Sequence, residues 1–364
     1  MVSFNMSKKD IKKALKLKSA LAKYGPQSKY LLTVLFGDVY VKAGNEDFRV
    51  SLRVKCDGCA EEGTALVGKD FFDTKDTTFV VNKADTTDYP QIDEFFTEVG
   101  KISIFDLHEL LKASVASYKK DRWDTDSVLD NVLMEIDKDS VNIVTTDKSR
   151  LMWNSMPAGD RKEGYYVMKK NGVVFLRRIL KDMKSNIDVN NLMIGVWASE
   201  SYVRFFVAGE YTIDIKLDKD LFPMYQLTSI ENHESRNKAL IDRNEMMKAL
   251  EELLAHYKDA KSYPESLTPV TYSFSGDRVV LSVANKYDVI DTREIGFIPI
   301  EDRMEWSSVN GNMNGKFVYE YLASLPEGTT EVEWYVKELP KPMEFKVVVN
   351  GISYVLVKTP AGER

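Results

Sequence analysis

Apolar side chains recur along this chain in two rhythms that take turns. In "SKKDIKKALKLKSALAKYGP", Ile11, Ala14, Leu15, Lys18 and Leu21 or Ala22 come round near helical spacing, and Gly25 and Pro26 end the pattern. "VYVKAGNEDFRVSLRV" then alternates apolar with polar residues, which predicts two strands around a polar turn. The succession returns in "ISIFDLHELLKASVASY", where Leu107, Leu110, Leu111 and Ser114 share a face, followed by a strand pair around Thr145 to Leu151. It returns again in "IDRNEMMKALEELLAHY", with Met246, Met247, Leu250, Leu253 and Leu254, followed by "VVLSVANKYDVIDTREI".

Each pass also closes alike, on a hairpin and a proline: "TTFVVNKADTTDYPQI", "RFFVAGEYTIDIKLDKDLFPMY" and "EFKVVVNGISYVLVKTP". The second and third passes hold a further helix, "KNGVVFLRRILKDM" and "NGKFVYEYLASL", with no counterpart evident in the first. A unit that repeats three times predicts three similar domains, 1–98, 99–232 and 233–364. The boundaries fall near Val99 and near Asn232, in the polar stretches "FTEVGK" and "SIENHESRNKA". Alternating strands joined by short turns predict antiparallel sheets with helices gathered on one face, an α+β class.

Length and composition agree with this. A chain of 364 residues exceeds what one core usually supports, and 44% apolar residues with 11% aromatic supply several. No apolar run reaches the length of a membrane span, and "MVSFNMSKKDIKK" lacks the apolar core of a secretory signal, so a cytoplasmic protein without membrane contact is expected. Cys56 and Cys59 form a lone "CDGC", and His108, His233 and His256 are scattered; the expectation is two reduced thiols in a surface turn, no metal and no cofactor.

A formal charge of -6 argues against a general nucleic-acid binder, yet the basic residues are segregated. The first helix carries Lys8, Lys9, Lys12, Lys13, Lys16, Lys18 and Lys23 against Asp10. The helix after Met168 adds Lys169, Lys170, Arg177, Arg178, Lys181 and Lys184, and the second-pass helix ends with Lys119, Lys120 and Arg122. Taken singly, such helices are solvated faces; cationic helices at repeated positions can follow a phosphate backbone without reading bases. No recognition-helix or zinc-finger signature accompanies them.

The stretch "VNIVTTDKSRLMWNSMP" sets Asp147, Lys148, Ser149 and Arg150 between two apolar runs and aims an Arg150–Leu151 pair back at the fold, which a turn does not need. With "LDNVLME" before it, it resembles the middle domain of the bacterial DNA polymerase sliding clamp, the beta subunit of the replicative polymerase. That family reads Leu-Asn-Gly, then Ala-Thr-Asp-Gly-His-Arg-Leu, then Ser-Met-Pro; here "TTDKSRL" and Ser155, Met156 and Pro157 hold those places. "LFPMY" is similar to its Gly-x-Phe-Pro-Asp-Tyr, "NMNGKFVYEYLASL" to its late helix, and "YVLVKTP" to its C-terminal end. The order and spacing of these motifs span about three quarters of the chain.

The resemblance implies a ring: a homodimer of three-domain protomers, helices lining the hole, sheets outside, duplex DNA held topologically and without sequence specificity. Lys8, Lys9, Lys12, Lys13, Lys16, Lys23, Lys119, Lys120, Arg122, Arg177, Arg178 and Lys181 would then face DNA. It further implies a groove that accepts clamp-binding peptides of the polymerase and the clamp loader. Mapped by motif, its residues are Leu129, Thr146, Lys148, Ser149, Arg150 and Leu151, then Pro223, Leu227 and Thr228, then Asn314, Phe317, Val355, Leu356, Val357 and Lys358. Apolar walls would supply most of the burial and a few polar groups the direction.

The sequence departs from the family at several points. Lys148 and Ser149 replace Gly-His, Leu227 replaces a common Arg, and Lys358 with Thr359 replaces Pro-Met, which suits a partner peptide bearing an acidic residue. Between "GKDFFD" and "TTFVVNKADTTDYP" the family's second helix and two strands are missing, which bears on the contact with the next protomer. Two other readings compete: a monomeric clamp-like protein that captures such peptides and encircles nothing, and an enzyme acting through Asp147 with Arg150 or His108.

Overall fold

The computed structural model describes the chain apart from residues 23–28, 69, 74–75, 85–91, 117–130, 147–149, 185–191, 229–235, 259–268, 285–289, 303–304, 338–342 and 359–364. The repeat foreseen from the sequence is plain in the order of elements. The first pass runs β1 (Val2–Asn5), α1 (Lys8–Leu21), β2 (Lys29–Leu35), β3 (Asp38–Gly44), β4 (Phe48–Lys55), β5 (Gly58–Glu61), β6 (Gly63–Gly68) and β7 (Thr78–Val81). The second runs β8 (Thr97–Ser103), α2 (Ile104–Ala116), β9 (Val132–Ile136), β10 (Ser140–Thr146), β11 (Arg150–Pro157), β12 (Gly164–Met168), α3 (Lys170–Lys184), β13 (Met193–Ala198), β14 (Tyr202–Val207) and β15 (Tyr211–Lys216).

The third matches the second element for element. It runs β16 (Asn237–Asp242), α4 (Arg243–Lys258), β17 (Pro269–Ser275), β18 (Arg278–Ala284), β19 (Ile290–Glu301), β20 (Asn310–Asn314), α5 (Gly315–Ser324), β21 (Glu331–Val336), β22 (Met343–Val349) and β23 (Ile352–Lys358). Among the described residues the first pass has no second helix and only β7 where the others close with three strands.

One local device starts the first helix of every pass. Ser7 Oγ accepts from the Asp10 amide at 3.1 Å, Ser103 Oγ from the Asp106 amide at 2.9 Å, and Asp242 Oδ1 from the Glu245 amide at 2.8 Å. Each satisfies an orphan N–H of the first turn. In the first two, the hydroxyl also donates back to the Asp carboxylate at 2.7 Å.

Compactness divides the chain differently from the repeat. One unit holds Met1–Glu109 and Gly159–Asp220, the other Leu110–Ala158 and Leu221–Arg364. The cause is strand pairing between consecutive passes: β4 pairs with β15 in the first unit, and β11 with β23 in the second.

In the first unit an eight-stranded antiparallel sheet runs β6-β2-β3-β4-β15-β14-β13-β8, beside a three-stranded sheet β5-β1-β7. The face of α1 that packs down carries Ile11, Ala14, Leu17, Ala20 and Leu21. Leu17 takes the core place expected of Leu15, and Lys18 turns outward to Asp73 at 2.5 Å. Gly172 lets α3 lie flat on the sheet, since a Cβ there would sit 2.7 Å from Ile215 Cγ2, and Phe175 stacks on Phe48 at 4.8 Å.

The expectation of two reduced thiols is corrected here. Cys56 is disulfide-bonded, and Cys59 is the only other cysteine of the chain.

In the second unit the strands follow the order β9-β10-β11-β23-β22-β21-β16-β19-β18-β17-β20, all antiparallel. Its core centres on the buried Trp334, stacked on Phe345 at 5.1 Å and met by Tyr272 and Phe274. Gly315 opens α5 as Gly172 does α3, its Cβ position lying 2.5 Å from Val270 Cγ2. Among the described residues no helix is long and apolar enough to cross a membrane.

Candidate functional site

The β11–β23 ladder sets Arg150 opposite Lys358, Leu151 opposite Val357, Met152 opposite Leu356 and Trp153 opposite Val355. Side chains directly opposite share a face and successive ones alternate, so the pairing sorts the expected groove residues into two groups. Leu151, Trp153, Val355 and Val357 lie on one face; Arg150, Met152, Asn154 and Leu356 lie on the other.

On the second of these faces the helices pack. Asn154 Nδ2 donates to the Leu110 carbonyl of α2 at 2.9 Å, and the Arg150 guanidinium lies 3.6 Å over the Phe317 ring of α5. Arg150 Nη1 also reaches Glu320 Oε2 at 3.5 Å, and the side chain is only 3% exposed. Asn314 Oδ1 accepts from the Phe317 amide at 3.1 Å, capping α5 and fixing the ring that Arg150 covers. Thr146 Oγ1 donates to the Arg150 carbonyl at 2.9 Å, which closes the ladder at the turn.

On the first face the segment after β15 is anchored by Tyr225. Its ring meets Trp153 edge-on at 5.4 Å, its hydroxyl donates to Glu135 Oε2, and Gln226 Nε2 donates to the same oxygen at 3.2 Å. Burial, reinforced by the Glu135 carboxylate, holds the Tyr225 hydroxyl far above its ordinary pKa, so it is protonated at any physiological pH. Leading into this anchor, Leu221 and Met224 are 84% and 75% exposed and Pro223 is exposed as well. Leu221, Pro223 and Met224 thus form a short run of exposed apolar side chains just before Tyr225 in the chain.

Comparison with known proteins then gives the architecture a name. No protein-family model and no curated protein matches the chain by sequence. Solved structures do match over their whole length. A sliding clamp (DNA polymerase III subunit beta) of Pseudomonas aeruginosa, bound to griselimycin, aligns with a TM-score of 0.78 at 16% identity, covering 100% of both chains. The DNA polymerase III beta subunit of Thermotoga maritima gives 0.77 at 16%, and a putative beta subunit of Eubacterium rectale 0.79 at 12%, again with 100% of both chains covered.

The fold is that of a bacterial sliding clamp.

Within this clamp fold the expected site residues separate as follows. Leu151, Val355 and Val357 come together with Trp153, and Arg150 comes together with Phe317 and Asn314. Leu227 and Thr228 belong to a 3-10 turn, Tyr225–Thr228, and Lys358 ends β23. Leu129, Lys148 and Ser149 lie outside the described residues, as do Asp147, Lys23, Lys119, Lys120 and Arg122.

Of the cations assigned to DNA, Lys8, Lys9, Lys12 and Lys16 are exposed on the face of α1 turned from the sheet, and Lys181 is exposed on α3. Lys13 is engaged with Asp10 at 3.7 Å and Glu210 at 2.5 Å. Arg178 Nη1 donates to the Ala20 carbonyl at 3.4 Å, tying α3 to α1. Arg177 is half-buried, and burial, partly opposed by Glu109, lowers its pKa.

Sequence reading missed Leu221, Met224, Trp153, Tyr225 and Glu135. The available signal was "LFPMY": exposed apolar residues around a proline, running into an aromatic that the preceding sheet could bury.

Proposed function

We propose that this protein is a DNA sliding clamp, a non-catalytic processivity factor that encircles duplex DNA and tethers its polymerase. The observation that carries the reading is the doubled edge pairing, β4 with β15 and β11 with β23, which joins each pass to the next in the same way. Together with the full-length likeness to sliding clamps, it supports three modules, 1–98, 99–232 and 233–364, joined edge to edge. The exposed lysines of α1 would face the phosphate backbone, and their geometry favours loose, sequence-independent contact.

The partner groove in this reading lies on the face of Leu151, Val355 and Val357, rimmed by Leu221, Pro223 and Met224. It would take an apolar-anchored peptide from the polymerase or the clamp loader. Replacing Leu151, only 6% exposed, by Asp would bury a carboxylate and disturb the strand pair, so the decisive substitution lies on the rim. Met224→Asp should weaken binding of a polymerase-tail peptide at least tenfold in calorimetry with an unchanged melting temperature. Equal affinity removes the groove assignment.

A second reading has its own observation. Over Ile290–Gly296, β19 pairs with β18 on one side, while its pairing with β16 on the other begins only at Phe297; no described strand runs along the rest of that edge. By the repeat, the strand meeting it would be the closing strand of a first module, which this chain lacks among its described residues. A monomeric clamp-like protein that binds the same peptides without encircling DNA fits that gap. An enzyme using Asp147 or His108 has no comparable support, since Arg150 is committed to Phe317 and Glu320.

A further inference from the structure

The sheet of the first unit carries a cavity of about 320 Å³ on the face opposite its helices, over the β4–β15 pairing. Tyr40 and Lys42 of β3 and Arg49 and Ser51 of β4 reach it because they alternate with buried Val39, Val41, Ala43, Val50 and Leu52. Residues 92–96 run beside it: Ile92 lines the cavity, and Glu94 accepts a hydrogen bond from the Ser201 amide at 3.1 Å.

Its charges do not balance. The one carboxylate in the lining, Asp214, is taken in bidentate fashion by Arg204, with Nε at 2.5 Å and Nη2 at 3.0 Å, and Arg204 lies in turn 3.8 Å over the Phe96 ring. Lys42 and Arg49 are left over. The Arg49 guanidinium lies 5.7 Å over the Tyr202 ring, with Nη1 shut off from solvent and without a hydrogen-bond partner. Lys42 forms no ion pair among the described residues, Asp214 acting on it only at longer range. Burial, with Arg204 adding to it and Asp214 opposing, lowers the Lys42 pKa. A lysine whose charge burial disfavours, beside an arginine with one N–H enclosed and unmet, is a combination that an anion in the cavity would stabilise.

We propose that this cavity is an anion site that accepts a carboxylate or phosphate group on a small, partly apolar carrier. The oxyanion would lie between Lys42 Nζ and the Arg49 guanidinium, with the apolar part against Ile92 and Phe206. The volume is at the small end of ligand sites and exceeds what a bare ion needs, which is why the carrier belongs to the proposal. The site does not depend on the clamp reading, because every residue in it belongs to the first unit.

The test is calorimetry and thermal unfolding on the full chain, with sodium chloride at matched ionic strength as reference. The probes are inorganic phosphate and the capped peptide acetyl-Leu-Asp-Leu-amide. The expected result is one saturable site for at least one probe, weakened at least tenfold in Lys42→Met and in Arg49→Gln. Lys42→Met exchanges an uncompensated cation for an apolar chain of similar length, so it should melt no lower than the parent and lose the probe-induced rise in Tm. Tighter binding of the peptide than of phosphate supports the apolar carrier, and tighter binding of phosphate overturns that part of the proposal. Absence of saturable binding for both probes, or equal binding by Lys42→Met, overturns the proposal.

Discussion

Arg150 illustrates how much one residue fixes. Its guanidinium is enclosed between Phe317 and Glu320, so it joins the end of β11 to α5 as much as it marks a site. A double-mutant cycle of Arg150→Met with Phe317→Leu should give a coupling of about 1 kcal/mol, the range of a partly desolvated cation–π pair. Zero coupling would mean that the two merely lie close. The sequence presents Arg150 and Leu151 as one motif, and as neighbours they are legible. The face each occupies is not, because a motif gives order along the chain while the two-residue period of a strand sends neighbours to opposite sides. Tyr225 escaped for a related reason: its partners Trp153 and Glu135 lie far away in sequence, and no local pattern announces them.

At the scale of elements, the three helix-starting caps are small, repeated and separable. Ser7→Ala and Ser103→Ala should each lower stability by about 1 kcal/mol, the usual cost of losing an N-cap side chain, measured by urea unfolding. Gly315→Val should cost about 1–3 kcal/mol by overpacking against Val270, whereas a valine on an exposed loop would cost little.

Residues 92–96 should respond to acid. The Ser199 hydroxyl and the Ser201 hydroxyl and amide hold Glu94 below the ordinary carboxylate range, outweighing burial, so its contribution is present above that range and is lost as pH falls through the depressed value. Amide exchange at Ser201, corrected for intrinsic rate, should therefore quicken only as pH falls below the ordinary carboxylate range, and in Glu94→Gln this dependence should vanish. Helices and the closing hairpins of the second and third passes were legible because their periods persist over many residues. The phase of α1 slipped, Leu17 replacing Leu15, where lysines interrupt the apolar face, and Ala249 took a core place in α4 that Met247 did not. Of the closing hairpin expected in the first pass, only β7 is present among the described residues. The gap in the first pass was legible too, as a helix pattern that never appears.

For the whole molecule, the account turns on whether two copies close a ring despite that gap. Light scattering at micromolar concentration should give about twice the protomer mass; a single-protomer mass would favour the monomeric reading. Topological holding is the claim most directly open to trial. Loaded onto nicked circular DNA and washed in moderate salt, the protein should remain bound, and cutting the circle once should release it. Equal loss from circular and linear DNA would contradict the clamp.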